Sequence, residues 1–221
     1  YIVQPIVGQK DIAKMVDGNG TEATTKLPTG IAFAPDGSLW FTDRGHNYIR
    51  RISPDFLVTS LLNVAIDGKS AIWQGGFDSW GNYYFVDKAK GLLRKVEANT
   101  MTLSTVASGL KSPMNVIFDD DDNMYVSARD NKDIYKFTPA GVKTTFATLT
   151  ASPNYIVFDK NKNMIVGTSN SFVLIQISPD GTQKTIAGDG VKGKEYYDGK
   201  PGDPLHAKVG VTFGIAAGSD G

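Results

Sequence analysis

The stretch Pro28-Thr29-Gly30-Ile31-Ala32-Phe33, followed by the turn Ala34-Pro35-Asp36-Gly37 and by Leu39-Trp40-Phe41-Thr42-Asp43, decides the fold because it recurs along the chain. Pro113-Met114-Asn115-Val116-Ile117-Phe118 repeats it, with Asp119 to Asn123 as the turn and Met124-Tyr125-Val126-Ser127 after it. Pro153-Asn154-Tyr155-Ile156-Val157-Phe158 repeats it again, followed by Asp159 to Asn163 and Met164-Ile165-Val166-Gly167. A looser copy holds Gly75-Gly76-Phe77, Trp80-Gly81 and Tyr83-Tyr84-Phe85-Val86-Asp87, and a fifth begins at Gly214-Ile215-Ala216. Counted from Phe33, successive copies are offset by 44, 41, 40 and 59 residues.

Each copy continues in the same way. A third apolar segment (Tyr48 to Ile52, Leu92 to Val96, Ile134 to Phe137, Val173 to Ile177) leads through a turn to a fourth (Val58 to Leu62, Thr102 to Val106, Val142 to Phe146, Thr182 to Ala187). Four short strands in roughly 40 residues is the period of a β-propeller blade. Segments such as Leu39-Trp40-Phe41 and Tyr83-Tyr84-Phe85-Val86 are apolar at consecutive positions, so both faces of each sheet are to be buried. The expected fold is therefore all-β, a propeller with repeats at about 28–62, 72–107, 113–147, 153–187 and 212–221 forming one domain. Four repeats are full and two partial. Tyr1 to Val7 read as an outermost strand without its own blade, and Gly221 ends inside a hairpin turn. The opening at Tyr1, without a signal-like segment, reads as a processed product or a fragment.

Composition narrows the function classes. Lys plus Arg equals Asp plus Glu at 23 each, which disfavours a nucleic-acid grip through a broad basic face or a polybasic attraction to membranes. With no Cys there is no disulfide framework, thiolate zinc site or cysteine nucleophile. No apolar run approaches the roughly 20 residues of a membrane-spanning helix.

The residues from Pro28 to Ile52 resemble the NHL repeat. Ile186-Ala187-Gly188-Asp189-Gly190, with Asp198-Gly199 and Ala207 ahead of Gly214, is similar to the linker between NHL blades. Ile6-Val7-Gly8 with Asp17-Gly18 and Ala23 ahead of Gly30 repeats it. The resemblance implies six blades in the complete protein. The linker further resembles that of NHL proteins of the Bacteroidota cell surface, often joined to IPT/TIG modules. That implies an extracytoplasmic subunit at the outer membrane, lipid-anchored outside this chain, that binds a glycan or docks to a nutrient-uptake transporter. Asn47-Tyr48-Ile49-Arg50-Arg51-Ile52 also resembles the teneurin type of the repeat, which points to adhesion.

Strands that alternate in direction place the loops after the second and fourth strands at one end, where long loops on a rigid scaffold usually bind. Arg44, Lys88 and Arg129 occupy equivalent positions there, and Ser169 stands in the fourth copy. They are candidates for holding an anion or sugar hydroxyls through paired hydrogen bonds. The competing reading makes them solvated charges bridging to Asp43, Asp87 and Asp130. Trp73, just before an inner strand, could stack on a sugar ring or a partner's side chain, or else pack between blades. Asn115 and Tyr155 stand where the first repeat has Gly30, a departure that marks both as ligand-binding candidates. Tyr196 and Tyr197 form a further aromatic pair in the second linker. Trp40 reads as core, and Trp80 as a turn residue at the opposite end.

Catalytic constellations are poor. His46 and His206 lie in separate loops, without the spacing of the histidine-bound zinc of NHL-like amidating lyases. The run Asp119 to Asp122 aligns with a hairpin turn rather than a calcium loop. No Gly-x-Ser-x-Gly occurs, and Gly188-Asp189-Gly190 follows a strand without a helix behind it. The expectation is a non-enzymatic recognition or scaffold propeller with no cofactor and no metal. The alternative is a divalent-metal-dependent lactonase-like hydrolase, a reading carried by the resemblance to SMP-30/gluconolactonases at Asn115 and Pro153-Asn154. An RNA-binding NHL domain would need a basic face that this charge balance lacks.

Overall fold

A computed structural model describes residues 6–9, 14–65, 70–192 and 202–218. Each full repeat is a four-stranded antiparallel sheet in chain order, the blade of a β-propeller. The first sheet holds β2 (Pro28–Phe33), β3 (Leu39–Asp43), β4 (Tyr48–Ile52) and β5 (Leu57–Asn63), with β1 (Gly18–Asn19) added outside β5. The second holds β6 (Ile72–Phe77), β7 (Tyr83–Asp87), β8 (Leu92–Val96) and β9 (Leu103–Ala107). The third runs β10 (Pro113–Phe118), β11 (Met124–Ala128), β12 (Asp133–Phe137) and β13 (Lys143–Thr148). The fourth runs β14 (Pro153–Phe158), β15 (Met164–Thr168), β16 (Leu174–Ile177) and β17 (Gln183–Ala187). Among the described residues the only helical pieces are two single turns of 3₁₀, Gly20–Glu22 and Pro204–His206.

Turn chemistry sets the strand ends. In the second, third and fourth sheets an aspartate opens the first hairpin and bonds backbone N–H groups two and four residues on. Asp78 Oδ1 accepts from the Trp80 and Asn82 amides, Asp119 Oδ1 from Asp121 and Asn123, and Asp159 Oδ1 from Asn161 and Asn163. This is the side-chain mimic of a backbone turn that Asp favours. Burial pushes the Asp119 carboxyl up, but its bonds from Asn123, Tyr125 and Asp121 outweigh that and hold it below the ordinary range. The Asp119 to Asp122 run is thus a turn that closes on itself. The second hairpin of each sheet carries one left-handed residue at an equivalent place: Asn47 (φ 61°), Gly91 (φ 64°), Lys132 (φ 62°) and Phe172 (φ 52°). At Gly91 a Cβ would also stand 2.4 Å from the Leu110 carbonyl oxygen, so that turn admits only glycine.

The chain divides into two compact units, Tyr1–Leu110 and Lys111–Gly221. In the first, β2 lies beside β6, and Ile49, Val64, Ile72, Tyr83, Phe85 and Val96 fill the space between the two sheets. In the second, β10 lies beside β14 over a core that includes Tyr125, Ile134, Leu149, Met164, Val166 and Ile177. The second strands β7 and β11 are buried at every position, as apolar runs on both faces require.

Inner strands of neighbouring sheets share no ladder, so side chains bond across. In the first unit Gln74 accepts from the Ile31 amide at 3.3 Å and donates to the Ile31 carbonyl at 2.9 Å. Thr29 Oγ1 donates to the Ile72 carbonyl at 2.9 Å. In the second, Asn115 Oδ1 accepts from the Ile156 amide at 2.9 Å, and Ser127 donates to the Asn154 carbonyl at 2.6 Å. Asn154 in turn donates to the Thr212 carbonyl at 3.0 Å.

The partial repeats are described only in part. Residues 1–5 of the expected outermost strand lie outside the described residues; outside β5 the first sheet carries β1. Of the expected fifth repeat, residues 211–218 form no strand, and 219–221 lie outside the described residues. Thr212 nevertheless bonds the Thr168 carbonyl at 3.3 Å.

The cross-sheet bonds differ in burial, and that sets their worth. The Asn115 bond is buried whereas the Gln74 pair is exposed. Asn115→Ala, which leaves the Ile156 N–H buried and unpaired, is expected to cost about 1–3 kcal/mol in denaturant unfolding. Gln74→Ala is expected to cost about 0.5 kcal/mol or less, because water replaces the lost partner. Equal losses would show that burial does not decide the contribution.

Candidate functional site

In the first unit three of the sequence-predicted residues come together. Arg44 follows β3, Lys88 follows β7, and Trp73 is the second residue of β6. The Arg44 guanidinium carbon lies 5.0 Å, and the Lys88 ammonium 5.4 Å, from the centroid of the Trp73 ring. Both are cation–π distances. Trp73 is only 9% exposed, so its ring is not a bare stacking plate. Two half-exposed cations stand against it. The Lys88 backbone amide donates to the Ala71 carbonyl at 2.9 Å, tying its loop to the approach to β6.

The aspartates beside these cations turn inward. Asp43, fully buried, accepts from Arg50 Nη1 at 3.0 Å, from His46 Nδ1 at 3.0 Å and from the Lys26 amide at 3.0 Å. Asp87, equally buried, accepts from the Ala71 and Lys90 amides. Arg50 is itself fully buried and reaches outward: Nη2 donates to Asp17 Oδ1 and to the Val16 carbonyl at 2.8 Å each, and Nη1 also donates to the Thr24 carbonyl. Asp17 in turn accepts from the Ser60 amide and hydroxyl. Residues 14–24 of the first linker are thereby clamped onto the first sheet. Arg94, at the place of Arg50 in the next sheet, donates to the Val64 carbonyl at 2.8 Å, and burial lowers its pKa.

The second unit spreads its candidates out. Arg129 follows β11 and pairs through Nε with Asp130 Oδ1 at 3.3 Å on the surface. Asn115 and Tyr155 are 2% and 5% exposed on the adjacent inner strands β10 and β14. The oxygen of Asn115 is already engaged by the Ile156 amide. At the positions of Asp43/Arg50 and Asp87/Arg94 this unit carries Ala128/Tyr135 and Thr168/Ile175. Tyr196 and Tyr197 lie outside the described residues. Among the described residues no group of three or more His, Asp or Glu side chains is placed to hold a metal ion.

The Asp17–Arg50–Asp43 network is what sequence reasoning missed. Its signal was present: Arg50 and Arg94 recur at the same place in two repeats, each seven residues after Asp43 or Asp87. A spacing between opposite charges that recurs in two repeats, on antiparallel neighbours, is the cue.

No protein-family profile matches the chain, and no curated protein matches it in sequence. Many solved structures match it in fold. A chain of a nidogen–laminin complex superposes with a TM-score of 0.67 at 17% identity, over 75% of this chain and 66% of that one. A streptogramin B lyase superposes with a TM-score of 0.65 at 15% identity, over 78% and 58%. A protein of unknown function from Bacteroides thetaiotaomicron does so with a TM-score of 0.57 at 20% identity, over 94% and 68%. The chain spans 55–59% of the length of the streptogramin and virginiamycin B lyases it matches. These likenesses establish a β-propeller, a class that here contains both lyases and binding proteins.

The clamp gives a pH dependence. Burial raises the Asp17 carboxyl, but its hydrogen bonds from Ser60 and its pairing with Arg50 outweigh this, so it sits below its ordinary 3.8. A carboxylate depressed in the folded state contributes stability above its unfolded value and loses it as pH falls through the folded one. The Tm of the wild type is expected to exceed that of Asp17→Asn at pH 7, and calorimetry at pH 3 should find the gap narrowed. A gap of the same size at both values would assign the clamp to shape rather than charge.

Proposed function

We propose that this chain is a non-enzymatic recognition propeller of the NHL-repeat type. In this reading it works at a bacterial cell surface of the Bacteroidota kind and captures an acidic glycan at the loop-bearing end of the first unit. The observation that carries the reading is the seating of Arg44 and Lys88 over one buried Trp73 ring. Two cations held by one ring lose little side-chain freedom on binding, so a carboxylate or sulfate on a sugar meets a prepared pair of donors. Arg44 supplies planar donors suited to an oxyanion, and Lys88 a compact point charge. The clamped linker 14–24, with Gly45 N–H bonded to the Lys26 carbonyl at 2.7 Å, stiffens the loop that carries Arg44. Docking to an outer-membrane uptake complex is the extension of this reading to a protein partner, through the same cations.

A glycan array probed with calcium and then with EDTA tests the proposal. Binding of uronic-acid or sulfated glycans, unchanged by EDTA, is the expected result. Arg44→Ala and Lys88→Ala should each weaken that binding about tenfold, the worth of one charge-assisted hydrogen bond. Affinity unchanged in both variants would place recognition elsewhere. Binding abolished by EDTA would replace this reading with a metal-dependent one of the lactonase type.

A further inference from the structure

The opposite end of the first unit holds a second feature that the loop-end cations do not use. The repeats fix an expectation for the first hairpin turn. At its third position three of them carry polar residues, Asp36, Asp121 and Asn161, while the second carries Trp80. Trp80 is 66% exposed. Its turn is nevertheless among the most firmly built in the unit. Asp78 and Asn82, 5% and 9% exposed, bond one another at 2.8 Å, and Asn82 Oδ1 accepts from the Ala98 amide at 3.1 Å. The same Asp–Asn closure builds the turns at Asp119–Asn123 and Asp159–Asn163, so what sets this turn apart is the indole it presents to solvent.

Beside Trp80 the two sheets leave a cleft of about 290 Å³, lined by Pro35, Asp36, Trp40, Phe77, Trp80 and Ala98. Its floor is aromatic, with Trp40 edge-on to Phe77 at 5.2 Å between ring centroids. Asp36 is the charged group of its lining, and behind it Arg51 Nη2 pairs with Asp36 Oδ2 at 3.0 Å, the other Asp36 oxygen being held by the Ser38 amide at 2.9 Å and by its hydroxyl. Small-ligand pockets start at about 300 Å³, so this one fits a single ring rather than a chain of them.

We propose that this cleft is a binding site for one neutral pyranose ring, stacked on Trp80 with its hydroxyls on the Asp36–Arg51 pair. An apolar aromatic face beside one acceptor and one donor matches a sugar, which presents C–H groups on one face and hydroxyls at its edge. The pairing of Asp36 with Arg51 matters for the choice of ligand. A lone carboxylate among aromatic rings would favour a cation, but here its charge is already balanced by the guanidinium. The site lies a full strand length of β6 away from Trp73, so its success or failure is separate from that of the loop-end cations.

Ligand-detected NMR on the intact chain tests it with methyl glucoside, galactoside and mannoside, and with tetramethylammonium as the competing cation. Saturable contact to one face of at least one glycoside is expected, with Kd on the order of millimolar. Trp80→Ala, a surface change that leaves the buried Asp78–Asn82 bonds in place, should weaken binding about tenfold. Ala98→Leu should block the cleft while keeping Trp80, and thermal melts of both variants check that they fold. The proposal is overturned by the absence of saturable glycoside contact, by contact that survives both variants, or by preference for tetramethylammonium.

Discussion

A β-sheet with apolar side chains on both faces cannot stand in water alone, and everything else in this chain follows from covering those faces. β7 and β11, buried at all five positions, show the constraint at its strongest. Each burial of a large apolar side chain is worth about 1.5–3 kcal/mol, so such a strand needs a neighbour on each side. Packing sheets face to face then creates a second demand. Inner strands of neighbouring sheets approach without a ladder between them, and the polar groups left there must find partners. Gln74, Thr29, Asn115 and Ser127 supply them by bonding from side chain to backbone.

The same demand explains why buried charge is concentrated in the first unit. Arg50 and Asp43 are both fully buried and would be costly there if either stood alone. Together with Asp17 and the carbonyls of Val16 and Thr24 they form a set that pairs both terminal nitrogens of Arg50, though not its Nε, and whose outer members belong to the linker rather than the sheet. The ion pair therefore fixes where a loop lies instead of adding to the core. Because Arg44 sits one residue past Asp43, the clamp also settles the base of the loop that leans on Trp73.

The first unit thus separates its two ends by chemistry. Cations gathered over a buried indole occupy one end, and a balanced ion pair beside an exposed indole occupies the other. Antiparallel strands make this separation unavoidable, since successive turns fall at alternate ends of a sheet. A scaffold of this kind can change either end without disturbing the apolar faces between them, which is why propellers serve as both lyases and binding proteins.

Sequence alone determined the strands, the turns and the propeller class, because a period near 40 residues is written locally in each repeat and needs no long-range information. Even the aspartate-closed turns at Asp78, Asp119 and Asp159 were readable, since each closes on backbone amides two and four residues on. Tertiary structure decided which distant side chains meet. Asn115 read as a ligand-binding candidate through its departure from glycine, and it carries a bond to Ile156 that no local pattern contains. Arg44 read as a partner for Asp43, yet Arg50 and His46 bond that carboxylate, and Arg44 lies on Trp73, 29 residues away. Periodic patterning is a property of neighbours in the chain. Charge pairing and ring contact depend on distances that exist only once the sheets are packed.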